Sequence, residues 1–255
     1  MDNVLIRAEK LSKSYSTGEN GKFILKNIDV DIYKGDFTVI MGPSGSGKST
    51  FLNVISGMDK QTLGEVYFED TKLTNYTQKQ LAQFRSKKCG FVFQNIYLME
   101  SMNVIDNILI SGLLSGDSKK NIVKKAKSLM GKVGLNEDLY DRYPNELSGG
   151  QLGRVGLVRA MINEPTVIFA DEPTGALDSK SGTEVLNLLT MMNRESQSIV
   201  MVTHDLKSAI RGNRILYLRD GIIVGELDFE KYEEEPEKLT ERKETLMSFL
   251  EEMEW

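Results

Sequence analysis

The sequence predicts an α/β protein, and three observations point there. Apolar runs of strand length, such as Thr166-Val-Ile-Phe-Ala-Asp171 and Ser198-Ile-Val-Met-Val-Thr203, alternate with helix-length stretches. That alternation is the pattern of a sheet with crossover connections. Between one such run and the helix after it lies Gly42-Pro-Ser-Gly-Ser-Gly-Lys-Ser49, which fits G-x-x-x-x-G-K-[ST] without mismatch. The third is composition: 255 residues, 40% hydrophobic and 27% charged, supply a packed core for one large domain or one domain with a helical insert.

Taken in order, Val4–Glu9 alternates like an edge strand and Phe23–Ile32 like a second. The polar loop Lys13-Ser-Tyr-Ser-Thr-Gly18 between them carries Tyr15. Asp36–Met41 reads as a short buried strand, and Ser49–Ile55 as the start of a helix. Gly64–Phe68 is a further strand. Thr77-Gln-Lys-Gln80 is a capping box opening a helix to about Lys87. Cys89–Phe93 reads as an interior strand ending at Gln94. From there to about Asn163 the periodicity is helical, with Val104, Ile105, Ile108 and Leu109 on one face and a helix over Ser118–Gly131. Three or four helices fit this span, a helical lobe set between halves of a parallel sheet. After the strand Thr166–Asp171 come a helix over Ser179–Arg194, the strand Ser198–Thr203, and a hairpin over Arg214–Val224 with an Asp220-Gly221 turn. From Glu230 the composition turns Glu-rich. A last helix there carries Leu246, Phe249, Leu250 and Met253 on one face. Those residues could pack on their own domain, on a second copy or on a membrane partner.

Charge and cysteine content narrow the function classes. A net charge of −5 and a pI near 5.2 argue against a nucleic-acid partner, which usually meets a basic stripe. No run of 18 apolar residues spans a membrane, and Met1-Asp-Asn-Val-Leu-Ile lacks the form of a signal peptide. Cys89 is the only cysteine, which excludes a disulfide framework and fits a cytoplasmic location.

The chemistry concentrates in a few motifs. In Gly42, Pro43, Ser44, Gly45, Ser46, Gly47, Lys48, Ser49 and Thr50, glycines let successive N–H groups face phosphate oxygens. Lys48 can neutralise β- and γ-phosphates, Ser49 can offer its hydroxyl to Mg²⁺, and the helix N-terminus adds partial positive charge. Asp171 ends an apolar strand, where its carboxylate can hold Mg²⁺, and Glu172 beside it can polarise an attacking water. Leu147-Ser148-Gly149-Gly150-Gln151 forms a second anion cradle: a hydroxyl, two glycines and a helix N-terminus. One nucleotide has no obvious use for two cradles about a hundred residues apart.

In the order phosphate loop, Gln94, Leu-Ser-Gly-Gly-Gln, Val-Ile-Phe-Ala-Asp-Glu, Ala-Leu-Asp178, His204, the chain closely resembles the ATP-binding cassette (ABC) proteins. The resemblance runs from about Val4 to Leu227. It implies a P-loop NTPase (RecA-like) core, an antiparallel β lobe and an inserted α-helical subdomain at about 95–163. Residues 1–228 would form the ATP-binding domain, and 229–255 an acidic linker and amphipathic helix. It also implies residue roles with ATP and Mg²⁺ as ligands. Tyr15 stacks on adenine, and Gln94 touches Mg²⁺ or water and senses the membrane partner. Ser148, Gly150 and Gln151 reach the γ-phosphate held by a second copy in a head-to-tail dimer, with Asp178 at that interface, and His204 contacts the γ-phosphate. The permease is then a separate chain, holding this one on the inner face of the membrane. In the family it docks near Gln94–Asn107, where Tyr97, Leu98, Met99 and Met102 are either the apolar contact or helical-lobe core.

Tyr143-Pro-Asn-Glu-Leu-Ser-Gly-Gly-Gln151 and Ala170-Asp-Glu-Pro-Thr-Gly-Ala-Leu-Asp-Ser179 resemble the macrolide-exporter and lipoprotein-release branch. Thr174–Lys180 and the C-terminal extension resemble its bacitracin-resistance (BceA-like) type, which serves antimicrobial-peptide resistance. The chain departs from the family at Leu152-Gly153-Arg154 and Gly156, where the usual pattern has Gln or Lys and then Gln before the arginine. Two helical glycines cost up to ~1 kcal/mol each relative to alanine, and they put in question how stiffly the Ser148 loop is held.

Overall fold

The computed structural model describes residues 3–15 and 22–254. Ser16–Gly18 of the polar loop and the first two residues of the chain lie outside that set. In chain order the elements are β1 (Val4–Ser14), β2 (Phe23–Tyr33), β3 (Phe37–Met41), α1 (Lys48–Ile55), β4 (Leu63–Phe68) and β5 (Thr71–Lys72). They continue with α2 (Gln78–Lys88), β6 (Cys89–Phe93), α3 (Val104–Leu113), α4 (Lys119–Lys132), α5 (Gly149–Met161) and β7 (Val167–Asp171). The last are α6 (Ser179–Arg194), β8 (Ser198–Val202), α7 (Leu206–Ala209), β9 (Arg214–Arg219), β10 (Ile222–Asp228) and α8 (Pro236–Glu252). The chain divides into two compact units, one of residues up to Leu81 and from Asn193 onward, the other Ala82–Met192.

The first unit holds an antiparallel sheet in the order β2-β1-β4-β5 and a run in the order β10-β9-β3-β8. In that run β3 is parallel to both β8 and β9, and β10 closes a hairpin on β9. Every residue of β3 and β8 is buried, as strands covered on both faces must be. The hairpin turn has Asp220 at φ 52° and Gly221 at φ 82°, the pair of positive values that a two-residue turn of matching twist requires.

Two strand expectations need correction. β1 lies between β2 and β4 and is longer than the alternation of Val4–Glu9 suggests. Irregular register at Ala8/Leu11, with Lys10 at φ 48°, resets the alternation so that Leu11, Ser12 and Lys13 are all buried. β6, expected in a sheet interior, pairs with β7 and with no second strand among the described residues. Its apolar character answers to helix packing instead: a Cβ on Gly90 would lie 2.6 Å from the Ala160 carbonyl oxygen of α5.

In the second unit, local rules account for the helices. Asn103 Oδ1 accepts from Asp106 N (2.8 Å) to start α3, and Ser118 Oγ accepts from Asn121 N (3.3 Å) to start α4. Ile122, Ala126 and Met130 of α4 are buried at four-residue spacing. Back in the first unit, α8 packs on its own chain: Leu246 and Leu250 are buried, and Phe249 meets Tyr217 of β9 edge-on at 6.4 Å. No helix among the described residues is long and apolar enough to cross a membrane.

Candidate functional site

The nominated residues divide between the two units. In the first, β3 delivers the chain to Gly42 at φ 146°, where a Cβ would fall 1.9 Å from the Leu218 carbonyl oxygen, so no side chain fits. Gly47, at φ 104°, opens α1, and a Cβ there would crowd Leu25 at 3.0 Å. The loop is thereby pressed against β2 and β9. The Lys48 ammonium folds back across it and donates to the carbonyl oxygens of Gly42 and Pro43, each at 2.9 Å. Ser46 Oγ is buried with no hydrogen-bond partner. A buried orphan hydroxyl beside a lysine and a helix N-terminus is a cradle that suits phosphate oxygens.

Tyr15 follows β1 and is 58% exposed, with the Lys13 ammonium 4.6 Å from its ring centroid. Its hydroxyl lies by Thr50 and Asp59, and partial burial raises its pKa first of all. Lys13, itself buried, holds this corner by pairing with Asp59 (2.8 Å) and donating to the Lys60 carbonyl (2.6 Å). The ring is therefore an open platform at the first turn of α1. His204 is exposed after the buried strand β8. Its neighbours are fixed: Thr203 Oγ1 accepts from Asp205 N (3.0 Å), and the Asp205 carboxylate accepts from Ser208 N and Oγ, both at 2.8 Å.

The second unit holds the remaining candidates. Asp171 ends β7, level with Phe93 of β6 in parallel register, so Gln94 and Glu172 leave the two strands side by side. Glu172 sits at φ 48°, a left-handed backbone that a non-glycine residue adopts only where its surroundings enforce it. Gly175 N donates to the Glu172 carbonyl (3.0 Å), and the Gln94 amide lies where a Cβ on Gly175 would be 2.8 Å from Nε2. Gln94, Asp171, Glu172 and Gly175 thus form one cluster.

Ser148 caps α5 in a capping box: its N–H donates to Gln151 Oε1 (2.8 Å) and its Oγ accepts from Gln151 N (3.3 Å). Ser148 and Gly149 are exposed, while Gly150 is buried so tightly that a Cβ would lie 2.7 Å from Ser181 Oγ. That hydroxyl donates to Asp178 Oδ2 (2.6 Å), whose other oxygen accepts from the amides of Lys180 and Ser181. Ser181 in turn holds the Asp178 carboxyl below its ordinary range. The second cradle and the Asp178 loop therefore share one support. Gly153 and Gly156 prove to be contact positions: added Cβ atoms would lie 3.0 Å from Val185 and 2.8 Å from Ile96. Close packing against α6 and the loop after Gln94 replaces the stiffness that helix propensity alone would give.

Three positioning groups escaped the sequence reading. Arg159 of α5, largely buried, donates to the carbonyls of Tyr97 (2.7 Å) and Ile96 (2.5 Å), and burial lowers its pKa. Asn107, also buried, accepts from Met99 N and donates to the carbonyls of Met99, Met102 and Asn103. Ser181 is the third. Arg159 and Asn107 shape the segment that leaves Tyr97 68% and Met99 54% exposed, with Leu98 and Met102 half-buried. Tyr97 and Met99 are surface, not lobe core.

A phosphate loop on an α/β scaffold, with an acidic strand end and a second anion cradle, defines a nucleotide-binding protein. The family model for ABC transporters matches residues 25–175. The bacitracin export ATP-binding protein BceA of Halalkalibacterium halodurans is 43% identical over 224 residues, covering 88% of each chain. The macrolide export ATP-binding/permease protein MacB of Mannheimia succiniciproducens is 41% identical over 86% of this chain but only 34% of its own length. A dimeric structure of the Methanocaldococcus jannaschii cassette MJ0796 in a post-hydrolysis state bound to ADP and Pi superposes with a TM-score of 0.81. It is 38% identical over 89% of this chain and all of that one. The chain belongs to the ABC transporter family and is its ATP-binding, ATP-hydrolysing subunit.

Proposed function

We propose that two copies of this chain close head-to-tail on two ATP molecules and thereby drive a separate membrane permease. The observation that carries this reading is the pairing of a phosphate loop braced by Lys48 with an exposed second cradle, Ser148 to Gln151, at the start of α5. In this reading the loop amides and Lys48 hold the β- and γ-phosphates, and Tyr15 receives adenine. Ser148, Gly149, Gly150 and Gln151 of one copy meet the γ-phosphate held by the other, with Asp178 beside them. Glu172 orients the attacking water, and His204 contacts the γ-phosphate. Mg²⁺, held from Ser49, Asp171 and Gln94, supplies charge neutralisation at the phosphates. Among the described residues no three His, Cys, Asp or Glu side chains cluster as a cation cage. One carboxylate beside a hydroxyl and an amide oxygen suits a Mg²⁺ that arrives with its nucleotide, since such ions are held by one or two carboxylates plus substrate phosphates.

The permease partner docks on the cytoplasmic side of the membrane at the segment displaying Tyr97 and Met99. BceA, an export ATP-binding protein by name and covered over 88% of its own length, supports a permease in another chain. The similarity to BceA favours antimicrobial-peptide resistance as the physiological role. ATPase assays on wild type and Glu172→Gln test the chemistry: the variant should bind ATP and lose turnover. A variant that hydrolyses at the wild-type rate removes Glu172 from the mechanism. Co-purification with the membrane subunit encoded nearest the gene tests the partner.

A further inference from the structure

The C-terminal helix α8 lies beyond the matched family segment of residues 25–175, and no role in the reaction accounts for it. It is tied into the first unit at two places. At its end, Arg219 of β9 donates to the Met253 carbonyl and to Glu254, both at 2.9 Å. There Phe249 and Met253 also cover Gly225, whose missing side chain leaves them room. Near the helix start, Arg242 sends its guanidinium beneath the segment that follows His204. Nε donates to the Ile210 carbonyl (2.6 Å), one terminal nitrogen to the Gly212 carbonyl, and the other to Glu230 O (2.8 Å). Phe229 and Tyr232 stack on the same group at 4.2 and 5.8 Å.

Ile210 and Gly212 carry carbonyls at the C-terminal end of α7, which a cation satisfies best. The other end of α7 is Asp205, the residue next to His204. Only one turn of helix separates the arginine's acceptors from the histidine. The far side of the same turn is also fixed, since Asn213 Oδ1 accepts from Phe37 N (2.6 Å) at the start of β3. Burial pushes the Arg242 pKa down to about 10, so the group stays charged at neutral pH.

We infer that α8 is a brace for the ATP site and that Arg242 is a positioning residue for His204, fixing α7 from its C-terminal end. This rests on the reading of His204 as the γ-phosphate contact. The full-length protein tests it in a double-mutant cycle on ATP turnover. Arg242→Met should lower kcat roughly 10-fold, as small misplacements of a reacting group do, with KM for ATP held within about twofold. In a His204→Ala background the same substitution should cost nothing further. Equal losses in both backgrounds, or an unchanged kcat, would overturn the inference. Full turnover by His204→Ala alone would refute instead the role of His204 itself. Because His204 is the only histidine, its ring gives one unambiguous NMR signal. That signal should move in Arg242→Met and stay in place in the exposed control Lys243→Met; no movement in either contradicts the brace. If Arg242→Met does not fold, Arg242→Lys, which keeps the charge but loses the planar fork, should show the same pattern at smaller size.

Discussion

Replacing Gly156 by alanine should destabilise the protein although it removes a glycine from a helix. Helix propensity alone favours alanine by about 0.5–1 kcal/mol. The new methyl would lie 2.8 Å from Ile96 Cγ2. Ile96 cannot easily retreat, because it is β-branched and its carbonyl is held by Arg159 at 2.5 Å. Overpacking of this kind costs about 1–3 kcal/mol, leaving a net loss of up to about 2.5 kcal/mol. Gly131 in α4 supplies the internal control, since a Cβ there meets nothing within 4 Å. At roughly 2–4 °C per kcal/mol for a chain of this size, Gly131→Ala should raise Tm by about 1–4 °C. Gly156→Ala should lower it by up to about 10 °C. Thermal unfolding of the two variants beside wild type measures both shifts. Equal upward shifts would mean that Gly156 is an ordinary, unfavourable helix glycine and that the packing argument is wrong.

Three further outcomes are expected. Burial raises the Cys89 pKa far above that of a free thiol, so thiol reagents should label the native protein no faster than it unfolds; rapid labelling contradicts that placement. Hydrogen bonds from Ser181 hold the Asp178 carboxyl below the ordinary aspartate range, so its stabilising effect is present above about pH 4 and fades as pH falls through the folded-state value. Asp178→Asn should therefore show a shallower fall of Tm with acid than wild type, and identical acid profiles would count against it. Tyr15→Ala should weaken ATP binding about 5–150-fold while Tyr15→Phe retains it, the range expected for one base–aromatic stack of about 1–3 kcal/mol. Equilibrium titration with a fluorescent ATP analogue separates these two, and similar losses in both variants would exclude stacking.

Much of the fold was legible because its signals are local. The bounds of β6 and α6 follow from a clean apolar run and from Asp178 acting as a cap. The Thr77–Gln80 box forms as read, with Thr77 N donating to Gln80 Oε1 at 2.8 Å. What escaped depends on distant backbone. Arg159 acts on carbonyls 62 and 63 residues away, and Arg242 on carbonyls 30 and 32 residues away, and a carbonyl leaves no mark in a side-chain pattern. The continuation of β10 to Asp228 was hidden for a related reason: Gly225 looks like a strand breaker but sits at a register shift covered by α8. The residues of the two anion cradles were nominated from the chain alone, since glycines, lysine and a capping serine have few other reasons to stand at that spacing. The side chains that back single site residues, Lys13 at Tyr15 and Ser181 at Gly150, needed the three-dimensional arrangement.

In the proposed function each ATP is completed by a second chain, and Ser148→Arg separates that arrangement from a site built by one chain alone. The substitution is made in a Glu172→Gln background, where ATP persists, and mass is read by light scattering during size exclusion. Glu172→Gln with ATP should run at twice the 28.7 kDa chain mass, and adding Ser148→Arg should return it to one chain while ATP still binds. With Glu172 intact, Ser148→Arg should abolish turnover. A Ser148→Arg protein that hydrolyses ATP at the wild-type rate as a monomer would contradict the two-chain site outright.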